Sequence, residues 1–416
     1  MSTEYPRWQA KSVANALQER RVVVISGARQ IGKTTLARMI ARQTAEPAGT
    51  DGMYRSLDDT ALLNAALLDP KGFVRHEAGT LIIDEIQKAP LLLSEIKQAV
   101  DKEARPGQFL LTGSANIQSL PGVMESLAGR VSHIRLRALT TGEILGAPPV
   151  FLERAFARDF PARAGGFDKA ALVSLAFRGG YPEAVRLSGP RQRRRWHRDY
   201  VASLLQRDLK DIANIRRADA LNSLIGVLAA WSGKYMELAG ICAHFSISKT
   251  TLETYIDALV SLYLFDRLPP WLNTDYGRVG RKSRLYAADT GLMTAILGWN
   301  ADEALLDADR SGKLLETFAY HELAAQIELA EGCELLHYRD REKREIDFIV
   351  ENGKATLGIE IKAGHSVGKN DFKHLEWFRD RLARKPFTGI VLYAGEHTLS
   401  FGEHLFAVPF GALWAG

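Results

Sequence analysis

The chain has 416 residues and a mass of 46.1 kDa, which predicts roughly three folded units. Hydrophobic residues make up 46% and charged residues 25%, a balance that excludes a wholly disordered protein. Lysine and arginine exceed aspartate and glutamate by 54 − 49 = 5, which permits a nucleic-acid partner without requiring one.

Cysteine usage and hydropathy indicate the compartment. Cys242 and Cys333 are too few and too far apart for a disulfide framework or a cysteine-based zinc site. No apolar run reaches the ~18 residues that cross a bilayer, and the first residues lack a signal-peptide pattern. We therefore expect a soluble, cytoplasmic protein with no membrane partner.

The first 140 residues alternate apolar, β-branched runs with helical patterns. Strands are predicted at Val22–Ile25, Met53–Leu57, Thr80–Asp84 and Phe109–Thr112, and helical spacing follows from Lys33. This alternation is typical of βαβ units, in which a parallel sheet is buried on both faces.

The turn after the first strand matches the phosphate-binding pattern G-x-x-x-x-G-K-[ST] in full. Its strand–turn–helix context disfavours a chance Gly-Lys turn. Glycines let backbone N–H groups wrap the phosphates, Lys33 would reach the β- and γ-phosphates, and the Thr34 hydroxyl would bind Mg²⁺. The predicted nucleotide-binding residues are Gly27, Arg29, Gln30, Ile31, Gly32, Lys33, Thr34, Thr35 and Asp84. ATP and Mg²⁺ are the expected ligands.

Two carboxylates end the third predicted strand. Asp84 would lie beside the metal, and Glu85 would orient and deprotonate the attacking water as a general base. The alternative is a solvated acidic strand end. An acidic pair of this kind favours ATP hydrolysis over phosphoryl transfer to a small substrate.

Further polar groups follow the fourth predicted strand. Ser114 or Asn116 would either sense the γ-phosphate and hold the water, or cap a turn. Arg130 would be either a cationic finger that neutralises transition-state charge or an ordinary surface residue.

A basic helical region and a helix–turn–helix pattern follow. Residues 186–217 carry ten lysines and arginines against three aspartates, with Trp196 and Tyr200 interleaved. Such a stretch either binds a phosphate backbone or forms a solvated helix. Helices are predicted at Glu237–Phe245 and Lys249–Leu262, then a strand at Leu262–Leu268 and a basic wing. That module serves either DNA reading or packing.

The basic wing is the segment that contains Arg278, Arg281, Lys282 and Arg284. The last hundred residues predict a mixed α/β unit with a helix at Leu314–Ala330.

A predicted hairpin near the C-terminus carries a carboxylate–lysine pattern. A two-residue Asn352-Gly353 turn would place Asp347 opposite Gly358, with Glu360 as its diagonal neighbour and Lys362 on the same face. Together with Glu316 from the preceding helix, these carboxylates would hold a second metal, with Lys362 as the catalytic lysine of a phosphodiesterase. The alternative is a set of cross-strand ion pairs. The pattern resembles the Asp…Glu-x-Lys core of restriction-endonuclease-like nucleases.

Motifs along nearly the whole chain resemble those of prokaryotic AAA-superfamily ATPases with a C-terminal, nuclease-like domain of unknown function. They are GARQIGKTTL, DEIQKAP, LTGSAN, ESLAGR, GGYPEAV, RDLKDI, AADTGLM, LLETFAYHEL, EIDFIV and GIEIKAG. The resemblance implies an extra strand between the P-loop strand and the Asp84 strand, followed by a helical lid. It also implies Arg130 as a finger in a homo-oligomer and Arg178 as a nucleotide sensor.

The sequence as a whole predicts an α/β protein in four parts. These are a P-loop ATPase core (1–150), a helical lid (151–231), a winged-helix-like domain (232–287) and a restriction-endonuclease-like α/β domain (288–416). The expected function is a DNA-associated ATPase motor or remodeler with a C-terminal domain that either cleaves DNA or is inactive. The alternative is a nucleotide-controlled switch that binds a protein partner.

Overall fold

The structure is a computed structural model that describes residues 4–44, 54–77, 79–114, 129–212, 218–235, 238–272 and 283–415. It divides into two compact units. The N-terminal unit comprises residues 7–138 with 261–263, and the C-terminal unit comprises the rest of the chain. The first unit ends at Ala138, whereas the sequence predicted a boundary near residue 150. The four-part division remains a prediction.

The N-terminal unit contains a parallel sheet flanked by helices. Its helices are α1 (Gln9–Glu19), α2 (Lys33–Thr44), α3 (Thr60–Leu68), α4 (Pro70–Phe73) and α5 (Leu92–Lys102). Its strands are β1 (Val22–Ser26), β2 (Tyr54–Ser56), β3 (Leu81–Asp84), β4 (Phe109–Gly113) and β5 (Val131–Arg135).

The strand order is β2-β3-β4-β1-β5, and every pairing is parallel. Strand β4 therefore lies between the P-loop strand and the Asp84 strand, which confirms the extra strand implied by the family resemblance. Residues Val22 to Ile25 are all at most 1% exposed, because helices cover both faces of β1. The carboxyl ends of β1, β3 and β4 meet at one edge, where ligands bind in such sheets.

The C-terminal unit begins with helices and ends with a mixed sheet. Its helices are α6 (Thr141–Leu145), α7 (Phe151–Ala157), α8 (Lys169–Arg178), α9 (Pro182–Arg186), α10 (Pro190–Ile212), α11 (Ala218–Ala230), α12 (Leu238–Phe245), α13 (Lys249–Ser261), α14 (Thr290–Ile296), α15 (Ala301–Leu306), α16 (Ala308–Ile327) and α17 (Lys373–Arg381). Its strands are β6 (Phe265–Leu268), β7 (Arg284–Ala287), β8 (Glu334–Arg339), β9 (Glu345–Glu351), β10 (Thr356–Lys362), β11 (Phe387–Tyr393), β12 (Leu399–Ser400) and β13 (Leu405–Pro409). No helix within these described ranges is long and apolar enough to cross a membrane.

The C-terminal sheet has the order β12-β13-β11-β10-β9-β8, with β10, β11 and β13 parallel. Alternate residues of its strands face two cores. Phe348 and Ile359 pack with Phe318 of α16 on one face, whereas Ile349 packs with Phe378 of α17 on the other. This alternation fixes which face of β9 and β10 carries the polar residues.

The β9–β10 hairpin differs from its predicted register. Leu357 pairs with Val350 and Ile359 with Phe348, so paired residue numbers sum to 707 rather than the predicted 705. The Asn352 side chain accepts hydrogen bonds from the backbone of Lys354 and Ala355, which lengthens the loop to four residues. The same register, extended by one step, puts Asp347 directly opposite Glu360. The predicted diagonal arrangement is therefore wrong.

The helix–turn–helix prediction holds at the level of elements. Helices α12 and α13 flank residues 246–248, and β6 pairs antiparallel with β7. On α13, Leu252, Ile256 and Leu259 are buried. Strand β6 begins three residues later than predicted, because Tyr263 adopts a φ of 59° and the Leu264 N–H still bonds to Leu259 of the helix. The winged-helix assignment itself remains a prediction.

A buried glutamate of α16 forms hydrogen bonds with both the start and the end of the C-terminal unit. Glu322 accepts the Thr141 backbone N–H at 2.7 Å and the Trp414 indole N–H at 2.8 Å. Burial raises the pKa of Glu322 to about 7, although these hydrogen bonds lower it. Nearby, Arg154 donates to the Ala415 carbonyl at 3.0 Å. Residues about 260 positions apart therefore share one packed region.

Candidate functional site

The phosphate-binding loop runs from the end of β1 to the start of α2. Gly27 has a φ of +151°, and a Cβ there would lie 2.3 Å from the Leu136 carbonyl oxygen. Gly32 has a φ of +99°, and Gln30 has a φ of 61°. Only glycine tolerates the close approach at position 27, so the loop geometry requires this residue.

Lys33, the first residue of α2, is almost completely buried in the loop. Its Nζ donates to the carbonyls of Gly27 at 3.0 Å and Ala28 at 2.8 Å. Burial lowers the pKa of Lys33 to about 8, an effect that Glu85 and Asp84 oppose. The ammonium is thus held at the centre of the loop, where a triphosphate would supply the missing negative charge.

Asp84, at the end of β3, accepts hydroxyl hydrogen bonds from several directions. Thr34 Oγ1 donates to Asp84 Oδ2 at 2.9 Å, and Tyr54 OH donates to the same oxygen at 2.8 Å. Thr112 donates to the other oxygen. Burial, followed by the neighbouring Asp84, raises the pKa of Tyr54 to about 12, so the phenol stays a donor.

The pair formed by Thr34 and Asp84 fits a magnesium ion. A carboxylate and a hydroxyl supply the hard oxygen ligands that Mg²⁺ prefers, with its remaining ligands coming from water and phosphate. Their direct contact shows that α2 and β3 bring both oxygens to one point.

Glu85 projects from a sharp turn after β3. It has a φ of 60°, a left-handed conformation that costs about 1–2 kcal/mol for a residue with a side chain. Its Oε2 accepts hydrogen bonds from Ser114 at 3.1 Å and from the Gln87 amide. The Gln87 amide also donates to Ser114 Oγ at 2.9 Å. The glutamate carboxylate is therefore held by two side chains.

A second polar cluster lies on the sheet of the C-terminal unit and is centred on Arg284. Its guanidinium, 2% exposed, lies 2.9 Å from Glu345, 3.5 Å from Glu316 and 3.7 Å from Asp347. It also stacks on Tyr235, 4.7 Å from the ring centroid. Arg284 belongs to the segment predicted as a basic wing, and β7 buries it among carboxylates.

The ionisation of this cluster follows from burial and mutual repulsion. Burial and then the charge of Asp347 raise the pKa of Glu316 to about 8, although Arg284 lowers it. Burial and Asp347 also raise the pKa of Glu360 well above its usual range. Burial opposes the charge of Arg284, but the tyrosine and carboxylates around it raise its pKa well above the ordinary value.

The structure does not group the residues predicted for a second metal site as three ligands, and that site stays a prediction. In the parts of the chain that the structure describes, no three histidine, cysteine or acidic side chains are arranged to hold a metal ion. Two of the predicted ligands, Glu316 and Asp347, pair with Arg284. The Lys362 ammonium lies 3.4 Å from Asp371.

Comparison with known families divides the chain into three matched segments. Residues 19–145 match the family described as AAA domain. Residues 169–303 and 311–413 match two domains of unknown function, DUF8612 and DUF4143.

Residues 19–145, the segment that is similar to this family, are called the AAA domain below.

Two curated relatives match almost the whole chain. Both are described as uncharacterized proteins, one from Mycobacterium bovis and one from Mycobacterium tuberculosis. Each is 28% identical over 400 residues, which cover 96% of this chain and 82% of the relative.

Solved structures share a lower similarity. AMPPCP-bound DnaA from Aquifex aeolicus is 16% identical, with 60% of this chain and 85% of that chain covered and a TM-score of 0.29. A STAND ATPase with a tetratricopeptide repeat sensor from Pyrococcus horikoshii is 14% identical, with 79% and 48% covered and a TM-score of 0.21.

The AAA domain places Arg130 away from its own phosphate-binding loop. Arg130 immediately precedes β5, and its backbone carbonyl bonds to Val22 at the start of β1. The loop lies at the other end of these parallel strands. The Arg130 guanidinium pairs with Asp101 through both carboxylate oxygens. Within one subunit, the structure does not bring this arginine to the nucleotide site.

The other predicted site residues have varied positions. Arg29, Gln30 and Thr35 of the AAA domain are exposed, whereas Ile31 is buried. Asn116 lies outside the described residues. In the C-terminal unit, Arg178 ends α8, and burial lowers its pKa.

Helix α10 carries an exposed arginine face. Arg191, Arg194 and Arg198 are exposed at spacings of three and four residues, and Arg195 pairs weakly with Asp199 at 3.7 Å. The interleaved aromatics are instead packed: Trp196 and Tyr200 stack on each other with centroids 5.3 Å apart. The face therefore offers cations but no exposed stacking platform.

Sequence reasoning missed Tyr54 and Gln87 in the AAA domain. Tyr54 stands 30 residues before Asp84, the carboxylate that it contacts, so no local spacing connects the two residues. Gln87 lies two residues after Glu85, and an amide at this spacing on a turn was a usable signal. Gln87 also contacts Ser114, which follows β4. This contact can be predicted only when the order of the strands is known.

Proposed function

We propose that this protein is a Mg²⁺-dependent ATPase in which Lys33 binds the β- and γ-phosphates and Glu85 is the general base. The observation that carries the proposal is the contact of Thr34 with Asp84 beside the buried Lys33 ammonium. Thr34 and Asp84 would hold the Mg²⁺, which neutralises phosphate charge when bound.

Hydrolysis follows from these positions without a covalent intermediate. A water oxygen forms a bond to the γ-phosphorus as the bond to the β,γ-bridging oxygen breaks. Glu85 takes the proton of that water, and the products are ADP and inorganic phosphate. Lys33 stabilises the charge that develops on the leaving phosphates.

The exposed arginines of α10 support association with DNA. Arg191, Arg194 and Arg198 form one cationic face, and cations of this kind bind phosphate backbones in a salt-dependent way. We propose a DNA-associated ATPase whose helical segment contacts the DNA backbone. The winged-helix-like and nuclease-like domains would follow that segment.

DNA stimulation of turnover tests this proposal. We expect single-stranded, duplex or branched DNA to raise the ATPase rate, and the triple change of Arg191, Arg194 and Arg198 to glutamine to abolish the increase. The matched control removes three exposed cations elsewhere, Arg341, Lys343 and Arg384, and should keep the stimulation. A rate that no DNA changes would contradict the DNA-associated function.

The arginine-centred cluster favours a second candidate, a nucleotide-controlled switch that binds a protein partner. In this candidate the C-terminal domain is an inactive, nuclease-like recognition module, and the ion pairs of Arg284 with Glu316 and Asp347 support it. Tight, slow retention of nucleotide without DNA would favour the switch over the motor. Metal-dependent DNA cleavage lost in Glu360→Ala would contradict the inactive module.

Arg130 is proposed to complete the site of a neighbouring subunit in a homo-oligomer. Glu85→Gln should bind ATP without turnover, because its geometry survives while its base is lost. Mixing Glu85→Gln with Arg130→Ala subunits should then restore part of the ATPase activity, since an interface can combine both intact groups. No recovery in verified mixed oligomers, or full activity in a strict monomer, would exclude the assignment.

A further inference from the structure

We propose that Gln87 is a positioning residue that fixes the Glu85 carboxylate for the attack of water. This inference rests on the proposed ATPase function and deepens it. It concerns a side chain that neither binds phosphate nor belongs to the predicted magnesium ligands.

The geometry at Glu85 carries the proposal. The Gln87 amide nitrogen donates to Glu85 Oε2 and, at 2.9 Å, to Ser114 Oγ, which itself donates to the same Oε2 at 3.1 Å. The three side chains form a closed triangle. Because Oε2 is engaged twice, Glu85 Oε1 is the oxygen left to take the proton of the water.

The orientation of the Gln87 amide is determined by charge. Its Oε1 is buried and accepts no hydrogen bond within the described residues. A buried acceptor without a hydrogen bond is unfavourable. The reversed amide would direct the oxygen at the Glu85 carboxylate and lose both donated bonds. The observed orientation therefore leaves one acceptor without a hydrogen bond and keeps the hydrogen bond that holds the Glu85 carboxylate.

The backbone at Glu85 makes this support necessary. The residue has a φ of 60° and begins the short 3₁₀ turn Ile86–Lys88, which carries Gln87. The turn places base and amide two residues apart on the same side. Ser114, beyond the end of β4, approaches from the neighbouring strand. The carboxylate is thus tied to two strands of the sheet.

The test compares Gln87→Leu, which keeps the side-chain volume and removes the donor, with Gln98→Leu. Gln98 is a matched control because its amide also donates to a glutamate, Glu95, at 3.4 Å on the exposed surface of α5. In Gln87→Leu we expect the kcat of ATP hydrolysis to fall about 10–100-fold, as misplacement of a catalytic group does. The KM and the affinity for a fluorescent ATP analogue should stay unchanged, and Gln98→Leu should match the parent.

A second comparison separates positioning from a general loss of structure. In the Glu85→Gln background, Gln87→Leu should lower turnover no further, because the base that it positions is already absent. A further loss there, an unchanged kcat or a raised kcat in Gln87→Leu would overturn the proposal. Ser114→Ala, which removes one side of the triangle, should lower kcat in the same direction.

Failure of this proposal is distinguishable from failure of the ATPase assignment. If Glu85→Gln keeps full turnover, the proposed function is wrong. If Glu85→Gln is inactive while Gln87→Leu is fully active, only the positioning role is wrong. Thermal unfolding of each variant shows whether the AAA domain remains folded.

Discussion

Lys33→Ala will abolish productive ATP binding and lower kcat/KM for hydrolysis by about 100–1,000-fold, the usual cost of removing a buried charge-stabilising donor. The ammonium is 4% exposed and is held by the Gly27 and Ala28 carbonyls at the centre of the loop. The other cation of this loop, Arg29, is exposed, whereas Lys33 is buried at its centre. Equilibrium titration with a fluorescent ATP analogue and a steady-state phosphate assay measure the two effects.

The control for this change is Lys11→Ala, which removes an exposed lysine from α1 of the same N-terminal unit. It should bind and hydrolyse ATP like the parent protein. Glu85→Gln offers the opposite pattern, with ATP binding retained and turnover lost. Parental affinity and hydrolysis in Lys33→Ala would refute the whole assignment of the nucleotide site.

Arg284→Leu will destabilise the C-terminal unit by roughly 3–5 kcal/mol, the usual effect of removing one partner from a buried ion pair. The substitution leaves Glu316, Glu345 and Asp347 without their shared guanidinium. Calorimetric unfolding of the full chain measures the loss as a shift of the transition of this unit. The matched control is Arg339→Leu, because Arg339 pairs with Glu345 and stacks on Tyr235 but is 30% exposed. Its effect should be about 1 kcal/mol or less.

The loss of stability in Arg284→Leu will depend on pH. The pKa of Glu316 in the folded protein is raised from its ordinary value of 4.5 to about 8, so folding binds a proton between these values. The contribution of Glu316 to the free energy of unfolding is fully present below pH 4.5. It is lost as the pH rises to about 8. Without Arg284, carboxylate repulsion is larger, so the destabilisation should be greater at pH 8 than at pH 5. An equal loss at both pH values would contradict the role of Arg284 as counter-ion.

Local patterns predicted the AAA domain well, because its signals depend on neighbouring residues. The β-branched run before Gly27 forms β1, and the loop and α2 follow at once. The position of Asp84 at a strand end also follows from a short apolar run. The family resemblance supplied the extra strand between the P-loop strand and the Asp84 strand, which hydrophobic periodicity does not encode.

The carboxylate cluster shows why the site in the C-terminal unit was harder to predict from the sequence. The face of Asp347 was predicted correctly, because a register shift of two residues preserves the alternation of sides. The shift itself depended on hydrogen bonds of the Asn352 side chain. Arg284 stands in a basic stretch of sequence, and nothing near it indicates carboxylate partners that follow 32 to 63 residues later, from Glu316 to Asp347.

The bonds of Glu322 to Thr141 and Trp414 set an order of events during translation. The ribosome adds Thr141 long before Glu322 and Trp414, so these buried contacts form only after residue 414 has been made. At roughly 5–20 residues per second, the intervening chain takes on the order of 15–55 s to synthesise. Throughout that interval the apolar residues Phe151 and Leu152, buried in the finished protein, have no native core to enter. The start of this unit therefore lacks part of its native packing during that interval, while residues 7–138 can already begin to fold.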